Sequence, residues 1–271
     1  MFWTRLASGV VLVIVAVLTI MAGGNIWFLL VSLLSLIGLY ELYKTINIER
    51  TVPGWIGYIT TVLYAFLLHE IAGGRFSENP FMAVIGGFLV ICAVYVFTFP
   101  KYKANQIAFS IFGLIYVPVL MMHLYQVREL PDGLFIIPLV FLSAWGNDTC
   151  AYCVGMLIGK HKMTPKLSPK KSIEGLVGGI VGAVLLGMAY GALAGSHLPS
   201  LGNAVAACGV ICGVGAVIAV VGDLTASAVK RDTGIKDYGK LIPGHGGVLD
   251  RFDSILFTAP IVYFLAIYFG A

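Results

Sequence analysis

Four aspartates stand where a carboxylate is costly. Asp148, Asp223, Asp250 and Asp253 lie inside or at the ends of long apolar tracts, and an ionisable side chain in such a tract points to function by default. The plain alternative for any one of them is a helix cap or an ion pair with a neighbouring Arg. Four of them close to two basic stretches, 159–174 and 229–253, favour a site. Helical spacing groups them further. Asp250 and Asp253 are three apart and project from one face; Asp223, Ser227 and Lys230 fall at offsets of 0, 4 and 7; Asp148 and Tyr152 also share a face. Oxygen ligands without a Cys or His set suit Mg2+, which is held by one or two carboxylates together with substrate phosphates. The Lys and Arg side chains of the two stretches suit the remaining phosphate charge. Gly244-His245-Gly246-Gly247 lies in the second stretch. Such glycines let backbone amides come close to a phosphate, or simply let a loop close.

What is missing narrows the chemistry. The chain has no P-loop, no H-E-x-x-H and no G-x-S-x-G. Phosphoryl or nucleotidyl transfer needs none of these, because the substrate brings its own nucleophilic oxygen and the protein supplies position and charge neutralisation.

The elements that must hold these residues are membrane helices. Of 271 residues, 59% are hydrophobic and 11% charged, and the mean hydropathy is +0.95. Thirty charged side chains cannot cover a soluble globule of this size, which excludes a soluble enzyme, a disordered chain and a secreted disulfide scaffold. Apolar tracts long enough to span fall at 6–22, 26–46, 55–73, 81–99, 107–126, 134–158, 175–195, 203–228 and 254–270. The expected fold is therefore all-α, a polytopic membrane protein with about nine transmembrane helices. It reads as one integrated membrane domain, with spans one to five in 1–130 and the catalytic spans and loops in 131–271. The first tract could pass for a signal peptide, but the eight that follow mark it as the first span. Gly178 and Gly182 have the small-x-x-x-small spacing of close helix packing.

Charge sets the expected orientation. Of the 17 Lys and Arg residues, only Arg75 and Arg128 fall on the side opposite the N-terminus. The positive-inside rule places the N-terminus and both basic loops in the cytoplasm and the C-terminus outside. The five cysteines lie in apolar tracts and read as small helix residues, Cys150 and Cys153 included. Glu41, His69, Glu70 and His123, near span ends, are expected to meet headgroups or water. His161 and His197 fall in loops and need no role. Asp232 and Asp237 could simply partner the flanking Lys and Arg.

The second basic stretch carries a longer pattern. From Ser227 it reads Ser-Ala-Val-Lys-Arg, then Lys236-Asp237, Gly239, Ile242-Pro243, His245-Gly246-Gly247 and Asp250-Arg251-Phe252-Asp253. This resembles the signature of the phosphatidate cytidylyltransferases, the CDP-diacylglycerol synthases, without a departure. Asn147-Asp148, Ala151-Tyr152, Gly155, Gly159-Lys160 and Ser168-Pro169-Lys170-Lys171-Ser172 with Glu174-Gly175 are similar to the family's second block, Ser172 standing where Thr is more usual. The motifs cover 147–253; the first 130 residues resemble the family only as a run of apolar spans.

The resemblance implies that CTP and phosphatidic acid give CDP-diacylglycerol and pyrophosphate at the inner membrane, in phospholipid biosynthesis. It implies Mg2+, a monovalent cation such as K+, and a homodimer; nothing calls for a nucleic acid. Joined to the residues, it implies Mg2+ on Asp223, Asp250 and Asp253. Lys230, Arg231, Lys236 and Arg251 would act on the transferring phosphates. Asp148, Ser168, Lys170, Lys171, Glu174, Ser227, Asp237, Gly246 and Gly247 would bind substrate. His245 stays open between general base, phosphate ligand and loop-ordering residue. Two rivals remain: a CTP-dependent lipid kinase of the same superfamily, and a transporter using the aspartates as an ion relay.

Overall fold

The computed structural model describes residues 2–242, 244 and 246–270. Its helices fall on the apolar tracts. In chain order they are α1 (Phe2–Ala22), α2 (Gly24–Lys44), α3 (Val52–Ala72), α4 (Phe81–Phe97), α5 (Ala104–Glu129), α6 (Gly133–Ile158), α7 (Ile173–Ala194), α8 (Ala204–Asp232) and α9 (Leu249–Gly270). Among the described residues, seven helices are long and apolar enough to cross a membrane, and Gly9–Ala22 and Phe81–Phe97 are shorter apolar helices. The protein is a polytopic all-α membrane protein.

Two helices carry a widened turn. Ile115–Val119 of α5, around Pro118, and Leu142–Gly146 of α6 are π-helical. Such turns shift the register of the helix beyond them and recur at functional positions. The second ends directly before Asn147 and Asp148.

The first basic stretch is not a plain loop. Lys162–Thr164 (β1) pairs antiparallel with Ser168–Ser172 (β2), Lys162 opposite Ser172 and Thr164 opposite Ser168. The hairpin runs straight into α7, whose N-cap Ser172 accepts a hydrogen bond from the Gly175 amide at 3.1 Å. The second stretch is shorter than its charges suggested, because α8 continues to Asp232 and takes Lys230 and Arg231 with it.

The chain divides into two compact units, Met1–Tyr125 with Ile235–Arg251, and Gln126–Gly234 with Phe252–Ala271. The glycine-rich loop thus packs with the N-terminal helices. In the first unit α2 is a central element: Trp27 donates to the Leu124 carbonyl at 3.1 Å and Tyr43 to the Ser110 carbonyl at 2.7 Å, both buried. In the second unit α7 lies between α6 and α8 on glycine. A Cβ at Gly178 would run into Val154 and one at Gly182 into Cys150 on α6. A Cβ at Gly187 or Gly191 would strike the α8 backbone. The spacing of Gly178 and Gly182 therefore does what small residues do between membrane helices, bringing backbones close enough for van der Waals attraction to hold them.

Candidate active site

The second unit contains a cavity of about 470 Å³. Helix α6 supplies Asn147, Asp148, Ala151 and Tyr152 at helical spacing, so the shared face expected of Asp148 and Tyr152 is the face that lines it. The hairpin supplies Ser168, Lys170 and Lys171, and Gly175 and Val220 come from α7 and α8. The hairpin is held down by Glu174 in the first turn of α7. This carboxylate accepts the backbone amides of Lys160 at 3.1 Å and His161 at 3.2 Å, and contacts the His161 Nδ1 at 2.5 Å. Glu174 therefore closes the base of the hairpin, and His161, expected to be without a role, is part of the clasp.

Lys171 forms an ion pair with Asp223 of α8. Both side chains are about three-quarters buried, with relative exposures of 25% and 26%. Asp148 lies in the field of Lys171 and Asp223, and Asp253 in the field of Asp223, Lys230 and Asp148. Three of the four aspartates singled out by sequence thus form one electrostatic cluster in this unit. Ser227 and Lys230 follow Asp223 along the same stripe of α8, half-buried, and Arg231 is exposed.

The fourth aspartate, Asp250, belongs to the first unit. Its Oδ2 accepts the Tyr238 amide at 2.8 Å and the Gly247 amide at 3.0 Å, closing the loop onto the first turn of α9. Gly246 has a φ of 88°, and a Cβ on it would meet Asp250 Oδ2 at 2.9 Å; only glycine suits that position. The Gly247 amide is thus engaged by Asp250 in this structure. Lys236, Asp237 and Arg251 are exposed around this loop. His245 lies outside the described residues.

Glu41 was expected to meet headgroups or water, and it does not. It is 5% exposed, and its two oxygens accept the Val248 amide at 3.1 Å and the Leu249 amide at 2.9 Å. A Cβ on Gly247 or Gly239 would collide with its carboxylate. A buried carboxylate at a helix N-terminus satisfies two orphan amides and complements the helix dipole. His123 departs from the same expectation: it is 7% exposed and contacts the Val119 carbonyl at 2.8 Å. His69 is half-buried, against Tyr125 at 3.0 Å and stacked on Phe28.

The donor set can be tested for an ion. Among the described residues no group of three or more His, Cys, Asp or Glu side chains could by itself hold a metal. Mg2+ needs only one or two carboxylates, completed by substrate phosphates and water. Asp223 and Asp253, in each other's field, are the residues of this unit that would supply them.

The whole chain, residues 3–269, matches the model of the Cytidylyltransferase family. The chain belongs to this family. Among curated relatives, the phosphatidate cytidylyltransferase of Staphylococcus saprophyticus is 31% identical over 271 residues, covering 97% of this chain and 98% of the relative. Phosphatidate cytidylyltransferases of Staphylococcus epidermidis and Staphylococcus aureus are 31% and 30% identical, with the same coverage. In this cytidylyltransferase two features escaped the motif reading. Glu41 is the lone acid in a 21-residue apolar helix, the very signal used to single out the aspartates. Asn147 is 1% exposed, and neither atom of its amide has a hydrogen-bond partner; the carboxylate beside it drew attention away.

Proposed function

We propose that this membrane protein is a phosphatidate cytidylyltransferase: it transfers CMP from CTP to phosphatidic acid, giving CDP-diacylglycerol and pyrophosphate. The observation that carries the reading is the full-length match to relatives of that name. It agrees with a cavity that joins Asp148, Lys170 and Lys171 to apolar walls.

Both reactants are anions, so repulsion is the first barrier. Lys170 and Lys171 reach the cavity from the hairpin, and Lys230 and Arg231 stand at the end of α8 near the aspartates. They would neutralise phosphate charge as the lipid phosphate oxygen attacks the α-phosphorus in line and pyrophosphate departs. The lipid phosphate is already largely deprotonated near neutral pH, its second pKa being about 6, so no general base is required. Mg2+, if bound by Asp223 and Asp253, would polarise phosphate oxygens and bear developing charge. Asp250 and Glu41 would set the signature loop that presents Lys236 and Arg251. The same reading takes the basic loops to be cytoplasmic and the working form to be a homodimer, with a monovalent cation beside Mg2+.

The test is direct. Purified protein incubated with CTP, phosphatidate and Mg2+ is expected to release pyrophosphate and form a CMP-bearing lipid. Release of CDP with a newly phosphorylated lipid would instead identify a lipid kinase.

A further inference from the structure

The Lys171–Asp223 pair has an unusual chemistry for a structural salt bridge. The Lys171 Nζ is sealed from water and has no hydrogen-bond partner beyond this ion pair. An ammonium carries three donors, so the pair leaves part of its capacity unused at the wall of a cavity that also holds Asp148, Ser168 and Lys170. A buried charge left so poorly satisfied is costly unless something else engages it in another state. Asp223, for its part, sits among like charges, Asp148 and Asp253. Three carboxylates in one another's field call for positive charge, and Lys171 supplies it in direct contact with Asp223, with Lys230 in the field of Asp253.

We propose that Lys171 is a resident stand-in for the divalent cation: it neutralises Asp223 in the ligand-free protein and exchanges partner when an ion and phosphates arrive, leaving Asp223 to the ion and turning its own donors to phosphate. The inference rests on the reading above in taking Asp223 as an ion ligand. The exchange couples ion binding to substrate binding, because the ion reaches Asp223 fully only when Lys171 has a phosphate to move to. The hairpin is the element that makes this possible. Lys171 lies on β2, one residue before the Ser172 N-cap, and lines the cavity, so a change of its own side-chain rotamer would carry the ammonium between carboxylate and cavity while Ser172 stays on α7.

The experiment measures ion binding without turnover. Mn2+, which shares the preference of Mg2+ for oxygen ligands, is titrated by electron paramagnetic resonance into the purified full-length protein in detergent, with no nucleotide. Lys171→Met is expected to bind Mn2+ ~10-fold more tightly than the unaltered protein, since a bound competitor and its charge are gone. Lys171→Arg keeps the competitor and is expected to stay within about 2-fold of it. Lys170→Met removes a neighbouring charge without removing the contact and is also expected to stay within about 2-fold. In turnover Lys171→Met is expected to lose activity despite binding the ion better, a split that general damage to the fold would not give. Unchanged or weaker Mn2+ binding in Lys171→Met overturns the proposal, and so does equal tightening in Lys170→Met. A second measurement needs no variant. Amine labelling of the unaltered protein, read by mass spectrometry, is expected to keep the Lys171-to-Lys170 ratio unchanged with Mg2+ alone and to shift it when Mg2+ and CTP are added together. A ratio that stays constant with both overturns the exchange, and so does one that shifts fully with Mg2+ alone. Formation of CDP-diacylglycerol by a protein that fails these tests would leave the functional reading standing and remove only the exchange.

Discussion

The carboxylate of Glu41 accepts the amide of Leu249, 208 positions along the chain, at 2.9 Å. The partner oxygen takes Val248 at 3.1 Å. One buried acid on α2 thereby fixes the start of α9 one residue before Asp250, and Asp250 in turn holds Tyr238 and Gly247. The signature loop is pinned by two carboxylates from opposite ends of the sequence. Glu41→Ala leaves two buried amides without acceptors, at a cost of about 1–3 kcal/mol each. Its thermal midpoint in detergent is expected to drop, with a larger loss of turnover. Glu41→Gln keeps one acceptor and turns a donor toward the other amide, so it should fall between. Full turnover in Glu41→Ala would remove the loop from any role in the reaction.

Close approach of α6 and α7 depends on Gly179. A Cβ there would meet the Ala151 Cβ at 2.9 Å and the backbone oxygen of Asn147 at 2.9 Å. Gly179→Ala must push the helices apart and is expected to cost about 1–3 kcal/mol. The same change at Gly86 of α4 meets nothing within 4 Å and gains helix propensity of about 1 kcal/mol. Thermal unfolding of the two variants should therefore move in opposite directions.

The helices were legible because their signal is local: a membrane span needs only a run of apolar residues, and every expected tract holds a helix. The glycine spacing of α7 was legible for the same reason. The aspartate cluster was half legible. Asp148, Asp223 and Asp253 do lie in one another's field, whereas Asp250 is engaged with loop amides, which no spacing rule reveals. The hairpin was missed because Lys162–Thr164 and Ser168–Ser172 are too short and polar to alternate. It is held by Glu174, from the helix that follows. Glu41 needed a partner some 200 residues away, so sequence offered its oddity and not its purpose.

Glu174 offers a separate handle on the hairpin. Its carboxylate gathers the Lys160 and His161 amides and the His161 ring. Glu174→Ala should leave α7 intact, since Ser172 still caps it, and free the strand that carries Ser168, Lys170 and Lys171. Proteolysis within 160–170 is expected to accelerate, with a rise in KM for CTP or phosphatidate. An unchanged cleavage pattern would show that the hairpin pairing alone holds the loop.

Sidedness follows from the distribution of basic residues. Lys160, Lys162, Lys166, Lys170 and Lys171 all fall between α6 and α7, and on the proposed reading their cost of translocation would keep them in the cytoplasm. A single cysteine introduced at Lys166, which is exposed, in a background with the native cysteines replaced, is expected to resist a membrane-impermeant thiol reagent in intact cells and to react after permeabilisation. Labelling in intact cells would invert the topology and place the candidate site outside.

Asp253 and Asp250 should differ in stability under the same substitution. Asp253 sits in the field of Asp223 and Asp148, opposed only in part by Lys230, and its Oδ1 accepts the Ser254 amide at 2.8 Å. Asp253→Asn keeps an oxygen for that amide and relieves like-charge repulsion, so its thermal midpoint is expected to hold or rise. If Asp253 is an ion ligand, turnover should still fall by ~10²-fold or more, the usual scale for a group that stabilises transition-state charge. Stability exchanged for activity in this way is the mark of a functional site. Asp250→Asn instead weakens two loop hydrogen bonds to a buried carboxylate and relieves less repulsion, so both stability and turnover are expected to fall. Chelation of divalent ions should stop the unaltered enzyme, with recovery on adding Mg2+. An Asp253→Asn protein that is both destabilised and fully active would take this aspartate out of the reaction and make it a packing residue.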